Sequence, residues 1–151
     1  MKYVGKNIPR NDGFDKATGL GQFTMDVSMP HMLYARVLRS PYAHAKVVKI
    51  DTSAAEALPG VVTVCTFENT TNKPFNTSAT MVTTPRPAEP VRDQTIFTDE
   101  PKYIGDEVAA VAAETEAIAA EAIKRIKVEY EVLPAVYDPV EALKPDSPEV
   151  Q

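Results

Sequence analysis

From Leu33 to Arg39, Leu33, Ala35 and Val37 alternate with Tyr34 and Arg36, the period of a half-buried strand. Leu38 interrupts the alternation, which implies partial cover on both faces. Ser40-Pro41 forces a turn, because the residue before proline is pushed out of the helical region, and Ala45 to Ile50 reads as a second strand. Ser53 and Glu56 have the spacing of a capping box in front of a short helix from Ala54 to Leu58, which Pro59-Gly60 must end. Val61 to Phe67 is a β-branched run suited to a buried strand, and Val108 to Ala113, nearly all small or apolar, predicts a central one. Thr115 caps a helix from Glu116 to about Arg125. On it Ile118, Ala122, Ile123 and Ile126 share one side, and Glu121 and Arg125 have the favourable four-residue spacing. Lys127 to Leu133 points Val128, Tyr130 and Val132 one way and Glu129 and Glu131 the other, and a helical turn fits Val140 to Leu143. Runs of strands with isolated helices, without strict alternation, give an α+β fold with a mixed sheet and about two helices.

The remaining stretches carry no such period. Residues 1–21 read as an extended N-terminal arm, and Gln22 to Val27 as a first short strand. The stretch from Glu68 to Tyr103 is rich in Thr, Asn and Pro, long for a loop in a compact domain, and therefore either functional or mobile. With 151 residues, 44% apolar and 25% charged, the chain holds one ordinary domain. That domain is expected over residues 22–137, followed by a tail over residues 138–151.

Charge and composition narrow the function classes. A net charge of −5 without any basic run disfavours a phosphate-backbone partner. No apolar run approaches the ~20 residues that span a bilayer, and the N-terminus lacks the apolar core of a signal peptide. The single cysteine, Cys65, agrees with a reducing compartment. A cytoplasmic protein that binds neither nucleic acid nor membrane is expected.

Candidate chemistry is sparse. Gly19-Leu20-Gly21 lacks the third glycine and the following helix of a nucleotide loop, so a turn is the better reading. His31 and His44 are the only imidazoles, too few beside one Cys for a zinc site. A Cys65–His nucleophile pair is conceivable, but Cys65 lies in a β-branched run where an inert thiol is usual. Glu129 and Glu131 read as the wet face of a strand, and Asp106-Glu107 as turn chemistry at a strand entrance. No catalytic, cofactor-binding or metal-binding residue is assigned. Arg39, Ser40, Tyr42 and His44, packed into one connection, are the candidate site. They suit a turn whose side chains hold backbone groups and meet a neighbouring domain, with an active-site contact as the rival reading.

Strings along nearly the whole chain carry a resemblance. VGKNIPRNDGFDKATGLGQFTMD, LYARVLRSPYAHA, IDTSAAEALPGVV, IGDEVAAVAAET and VEYEVLPAVYDPVEAL, in that order, resemble the α/β hammerhead domain at the N-terminus of the molybdenum-binding subunit in the xanthine dehydrogenase and aldehyde oxidase family. Gly105-Asp106-Glu107-Val108 resembles the form in bacterial purine hydroxylases and hydroxybenzoyl-CoA reductases, while Glu68 to Glu89 matches no family pattern and leaves the substrate open. The resemblance implies a structural domain, inactive by itself, ahead of larger domains that hold molybdopterin, with iron-sulfur and FAD groups in partner subunits or domains. Two rivals stand beside it: an interaction module of the same fold without a molybdenum partner, and a small thiol- or His-dependent hydrolase. On the first reading, His44→Ala is expected to behave as a surface change, within ~0.5 kcal/mol.

Overall fold

A computed structural model describes residues 4–75, 92 and 94–148. The chain divides into two compact units, Met1–Met32 and Leu33–Gln151. Residues 76–91 and 93, about half of the stretch expected to be functional or mobile, lie outside the described residues.

The first unit is not simply extended. Helix α1, Gly13–Thr18, follows the Asn11-Asp12-Gly13 turn. Its entrance is fixed by the Asp12 carboxylate, 3.0 Å from Arg10 and 2.6 Å from Lys16, and both cations hold the Asp12 carboxyl below the usual aspartate value. Gly19, with φ +75°, ends the helix, and the Leu20 and Gly21 amides close on the Asp15 carbonyl. The glycine pair is therefore a helix stop, as a residue free of Cβ penalty permits. The strand expected from Gln22 to Val27 is replaced by a 3₁₀ turn, Thr24–Asp26, in which Asp26 accepts the Phe23 amide at 3.0 Å. A local carboxylate closing the turn has displaced the extended conformation. Neither helical turn buries a residue, and Phe14, Leu20 and Met25 are all exposed.

The second unit carries five strands: β1 (Tyr34–Arg39), β2 (Ala45–Asp51), β3 (Val61–Thr66), β4 (Glu107–Ala113) and β5 (Lys127–Val132). They form two antiparallel sheets, β1-β4-β3 and β2-β5. Three helices join them: α2 (Ser53–Glu56), α3 (Glu116–Ile123) and α4 (Pro139–Ala142). The α+β class is as expected, and β4 is central.

Packing follows from which face α3 covers. Register places Arg36 opposite Val111 and Leu38 opposite Ala109, with Val64 opposite Val111 on the other side. This face meets α3: Arg36 pairs with Glu116, and Ala109, Val111, Val64, Ala55, Ala122 and Ile126 form the core. Alanines at 109, 113, 119 and 122, all with no exposed area, let the helix approach the sheet closely. Ile50 and Val128 pack against the same core from the second sheet. The expected alternation in β1 is not seen in its burial, where every residue but Leu38 is exposed. Leu38, the residue that broke the pattern, is the one that reaches the core, while Val37 stays 40% exposed. The reason is tertiary, since β1 is an edge strand whose second face no described helix covers.

Capping is partly as anticipated. Thr115 Oγ1 accepts the Ile118 amide at 3.2 Å, and Arg125 meets Glu121 at 3.3 Å. The Ser53/Glu56 capping box is not formed. Asp51 accepts both the amide and the hydroxyl of Ser53, at 3.1 and 2.6 Å, and Glu56 takes the Thr52 hydroxyl instead. The carboxylate two residues before Ser53 takes both donors, and those two bonds hold the Asp51 carboxyl below its usual value. The α4 turn is as expected, with Asp138 capping Val140 at 2.7 Å.

Gly60, after Pro59, has φ +86°, and its carbonyl accepts the Glu114 amide at 2.9 Å. A Cβ there would lie 2.6 Å from Ile118 Cδ1, the movable end of a side chain. The backbone term therefore dominates. Gly60→Ala should cost about 1–2 kcal/mol, the penalty for a left-handed L-residue, measured by urea unfolding followed by circular dichroism.

Candidate functional site

The connection between β1 and β2 gathers all four candidate residues. Ser40, 2% exposed, is bracketed by the loop before β4: its amide donates to the Asp106 carbonyl at 2.8 Å, and its carbonyl accepts from Gly105 at 2.9 Å. Its hydroxyl accepts the Tyr42 amide and donates to the Tyr42 carbonyl, both at 3.1 Å. Arg39 Nη1 donates to the Gly105 carbonyl at 2.7 Å and to Glu107 Oε1 at 2.6 Å. Tyr42 stacks edge-on against Tyr130 at 5.2 Å. Burial raises the Tyr130 hydroxyl above the ordinary tyrosine value, with a smaller contribution from Tyr42.

His44 is placed differently from expectation. It is only 8% exposed, so the surface behaviour predicted for His44→Ala is corrected. Its Nδ1 lies 2.7 Å from the Pro134 carbonyl. A carbonyl only accepts, so Nδ1 carries the proton. Leu133 also donates to the His44 carbonyl at 3.0 Å, and the two bonds tie the start of β2 to the segment after β5. His44 Nε2 is buried without a hydrogen-bond partner, 3.5 Å from Glu100 Oε1. Alternation could not signal this, because the residues holding the ring lie far away in sequence.

These contacts are those of a braced turn. Arg39, Ser40 and His44 each hold a backbone carbonyl or amide. The Arg39–Glu107 pair is about half exposed on the Arg39 side, and exposed pairs contribute little. Arg39→Ala should cost below about 1 kcal/mol in thermal or urea unfolding.

The other candidates separate. Cys65 faces Ala110 across the ladder, while the His44 ring is directed to Pro134 and Glu100, so the two form no hydrogen-bonded pair. Asp106 is occupied by the Lys102 and Glu107 amides, both at 3.0 Å, which is turn chemistry. Glu129 and Glu131 are exposed and stand opposite Lys49 and Lys46 in the register, a charge-paired wet face. A polar cleft of about 250 Å³ lies between Gln94, Thr98, Glu100 and Tyr103. Partial burial, then the Asp106 and Glu107 carboxylates, hold the Tyr103 hydroxyl above its usual value. Among the described residues no group of three or more His, Cys, Asp or Glu is placed to hold a metal ion. No described helix is long and apolar enough to cross a membrane.

Residues that pattern reading missed are Glu100, Pro101, Tyr103, Ile104, Tyr130 and Pro134. Pro101 is fully buried, and its carbonyl accepts the Ala45 amide at 3.1 Å. The conformational punctuation of Pro101 and Gly105 was the available signal, but neither residue reveals its partner.

The sequence and fold have clear relatives. Residues 18–134 match the family described as aldehyde oxidase and xanthine dehydrogenase, a/b hammerhead domain. A probable hypoxanthine oxidase of Escherichia coli O157:H7 is 37% identical over 150 residues, 99% of this chain and 15% of the relative. A xanthine dehydrogenase molybdenum-binding subunit of the same strain is 35% identical over 138 residues, 91% of this chain and 18% of that protein. Quinoline 2-oxidoreductase from Pseudomonas putida 86 superposes with a TM-score of 0.81 at 33% identity, covering 95% of this chain and 18% of its own. The chain thus spans under one fifth of the length of each of these three relatives. It belongs to the aldehyde oxidase and xanthine dehydrogenase family, as the a/b hammerhead domain.

Proposed function

We propose that this chain is a structural domain of a molybdenum hydroxylase subunit of the xanthine dehydrogenase type, inactive by itself and cytoplasmic. Molybdopterin is held by further domains of the same subunit, with iron-sulfur and FAD groups in partner subunits or domains. The observation that carries this is the combination of a hammerhead match over residues 18–134 with a candidate site whose polar side chains are committed to bracing backbone. In cofactor enzymes the cofactor supplies the difficult chemistry and protein supplies placement. Here the residues supply placement. Ser40 and His44 build the turn from inside, while Tyr42 and the guanidinium of Arg39 remain accessible on its outside and meet the neighbouring domain.

The test compares the product of the intact coding sequence with the 151-residue chain and with the subunit lacking residues 1–151. Molybdenum is expected at equal stoichiometry in the first, absent from the second, and depleted from the third. Turnover of purines or aldehydes by the 151-residue chain alone, or full molybdenum retention after the deletion, would overturn the reading. A coding sequence without molybdenum-binding domains would favour the stand-alone interaction module.

A further inference from the structure

Beside the braced turn the second unit holds a concave apolar groove of about 370 Å³, lined by Ala43, Tyr103, Ile104, Ala135, Val136 and Tyr137. Ile104 is 66% and Tyr137 80% exposed, although each borders a segment tied into the fold. On one side, Asp106 donates its amide to the Tyr103 carbonyl and accepts the Lys102 amide, while Gly105 at φ +99° donates to Ser40. The tip carrying Tyr103 and Ile104 is thereby pinned at both ends. On the other side, the His44 bond to the Pro134 carbonyl holds the strand of chain that continues into Ala135 and Val136. Backbone fixed by several hydrogen bonds, yet offering aromatic and β-branched side chains to water, is a preformed docking surface that binds without a further ordering cost. Tyrosine-rich apolar centres with few charges are characteristic of such contacts.

We propose that this groove receives an apolar segment of the same subunit from outside these 151 residues, with a carboxylate beside it. The inference rests on the reading under Proposed function. Two observations select the occupant. The three relatives named above carry more than four fifths of their length beyond the region this chain matches, so most of the contact surface available to the domain lies in that remainder. Among the described residues Lys102 is the only charged one lining the groove, which suits an apolar insert flanked by an acidic residue.

Photo-crosslinking in the full-length subunit tests it. The benzophenone amino acid p-benzoylphenylalanine is incorporated at Ile104, in a second variant at Tyr137, and as a control at Lys124, which is exposed on the far end of α3. None of the three positions is buried, so each variant should fold. At Ile104 or Tyr137 the expected result is an intramolecular crosslink to a peptide outside residues 1–151, at several-fold the yield from Lys124. A crosslink to a second copy, to another subunit or to a peptide within residues 1–151, or a yield no greater than the control at both positions, overturns the proposal. Molybdenum measured in the unmodified subunit keeps the two readings apart. Molybdenum present with no such crosslink defeats the groove alone, whereas a subunit without molybdenum or without chain beyond Gln151 defeats both.

Discussion

Val111→Asp should abolish cooperative folding, with a loss above about 4 kcal/mol, the range that single substitutions reach only through mechanisms such as an unpaired buried charge. Val111 has no exposed area and lies in the middle of the central strand, with Arg36 and Val64 as its two cross-strand neighbours. Around it are Ala55, Ala109, Ala122 and Ile126. Those apolar side chains have no donor to offer and the Arg36 guanidinium is engaged by Glu116, so an aspartate there is an unpaired charge, a protonated acid without a partner, or takes Arg36 away from Glu116. Native proteins have total stabilities of about 5–15 kcal/mol, so a loss of this size takes most of the stability at the lower end of that range. Val111→Ala separates charge from volume, since deleting methyl groups should cost only about 1–3 kcal/mol and preserve a cooperative transition. The chain has no tryptophan, so far-ultraviolet circular dichroism against urea is the measurement. If Val111→Asp melts cooperatively within 1 kcal/mol of the parent, α3 does not cover β4 as described.

The contrast between elements that were readable and those that were not has a physical basis. Helix α3 was legible because its buried positions recur at helical spacing and Thr115 marks its start. The central place of β4 was legible because a run of Ala and Val fits only where both neighbours are strands. Which side of β1 is buried was not, because that is decided by α3, some 80 residues later, through Arg36 and Glu116. Helix α1 is six residues long, too short for any period, and is held by the local grip of Asp12 on Arg10 and Lys16. The division of five strands into two sheets joins Ala45 to Val132, and no local pattern encodes a pairing at that separation. The site behaves alike. Arg39, Ser40, Tyr42 and His44 stood out as one unusual cluster, but Gly105, Asp106 and Pro134, which determine what the cluster does, are 66 to 90 residues distant.

His44→Ala should destabilise the chain by about 2–3 kcal/mol, several times the surface value expected from sequence. The Pro134 carbonyl loses its Nδ1–H donor, and because Pro134 is exposed water can take the acceptor over, so this part of the loss is about 1 kcal/mol, the net value of one hydrogen bond. Loss of a ring that is nine-tenths buried also leaves a void that neighbours fill only in part. One term acts in the opposite direction, because Nε2 already lacks a partner in the native fold and removing it relieves a desolvation cost. The sum therefore stays below that of a fully satisfied core residue. His44→Asn discriminates the components, since its amide nitrogen can occupy the position of Nδ1 and donate to Pro134. About 1 kcal/mol should return in that variant, the net value of one hydrogen bond, while the Nε2 side remains empty in both. Urea unfolding of the three proteins gives the comparison. In hydrogen exchange, the Leu133 amide, which donates to the His44 carbonyl, should lose protection in His44→Ala and recover part of it in His44→Asn. A loss within ~0.5 kcal/mol would place His44 at the surface after all, and the brace between β2 and the segment after β5 would have to rest on the backbone alone.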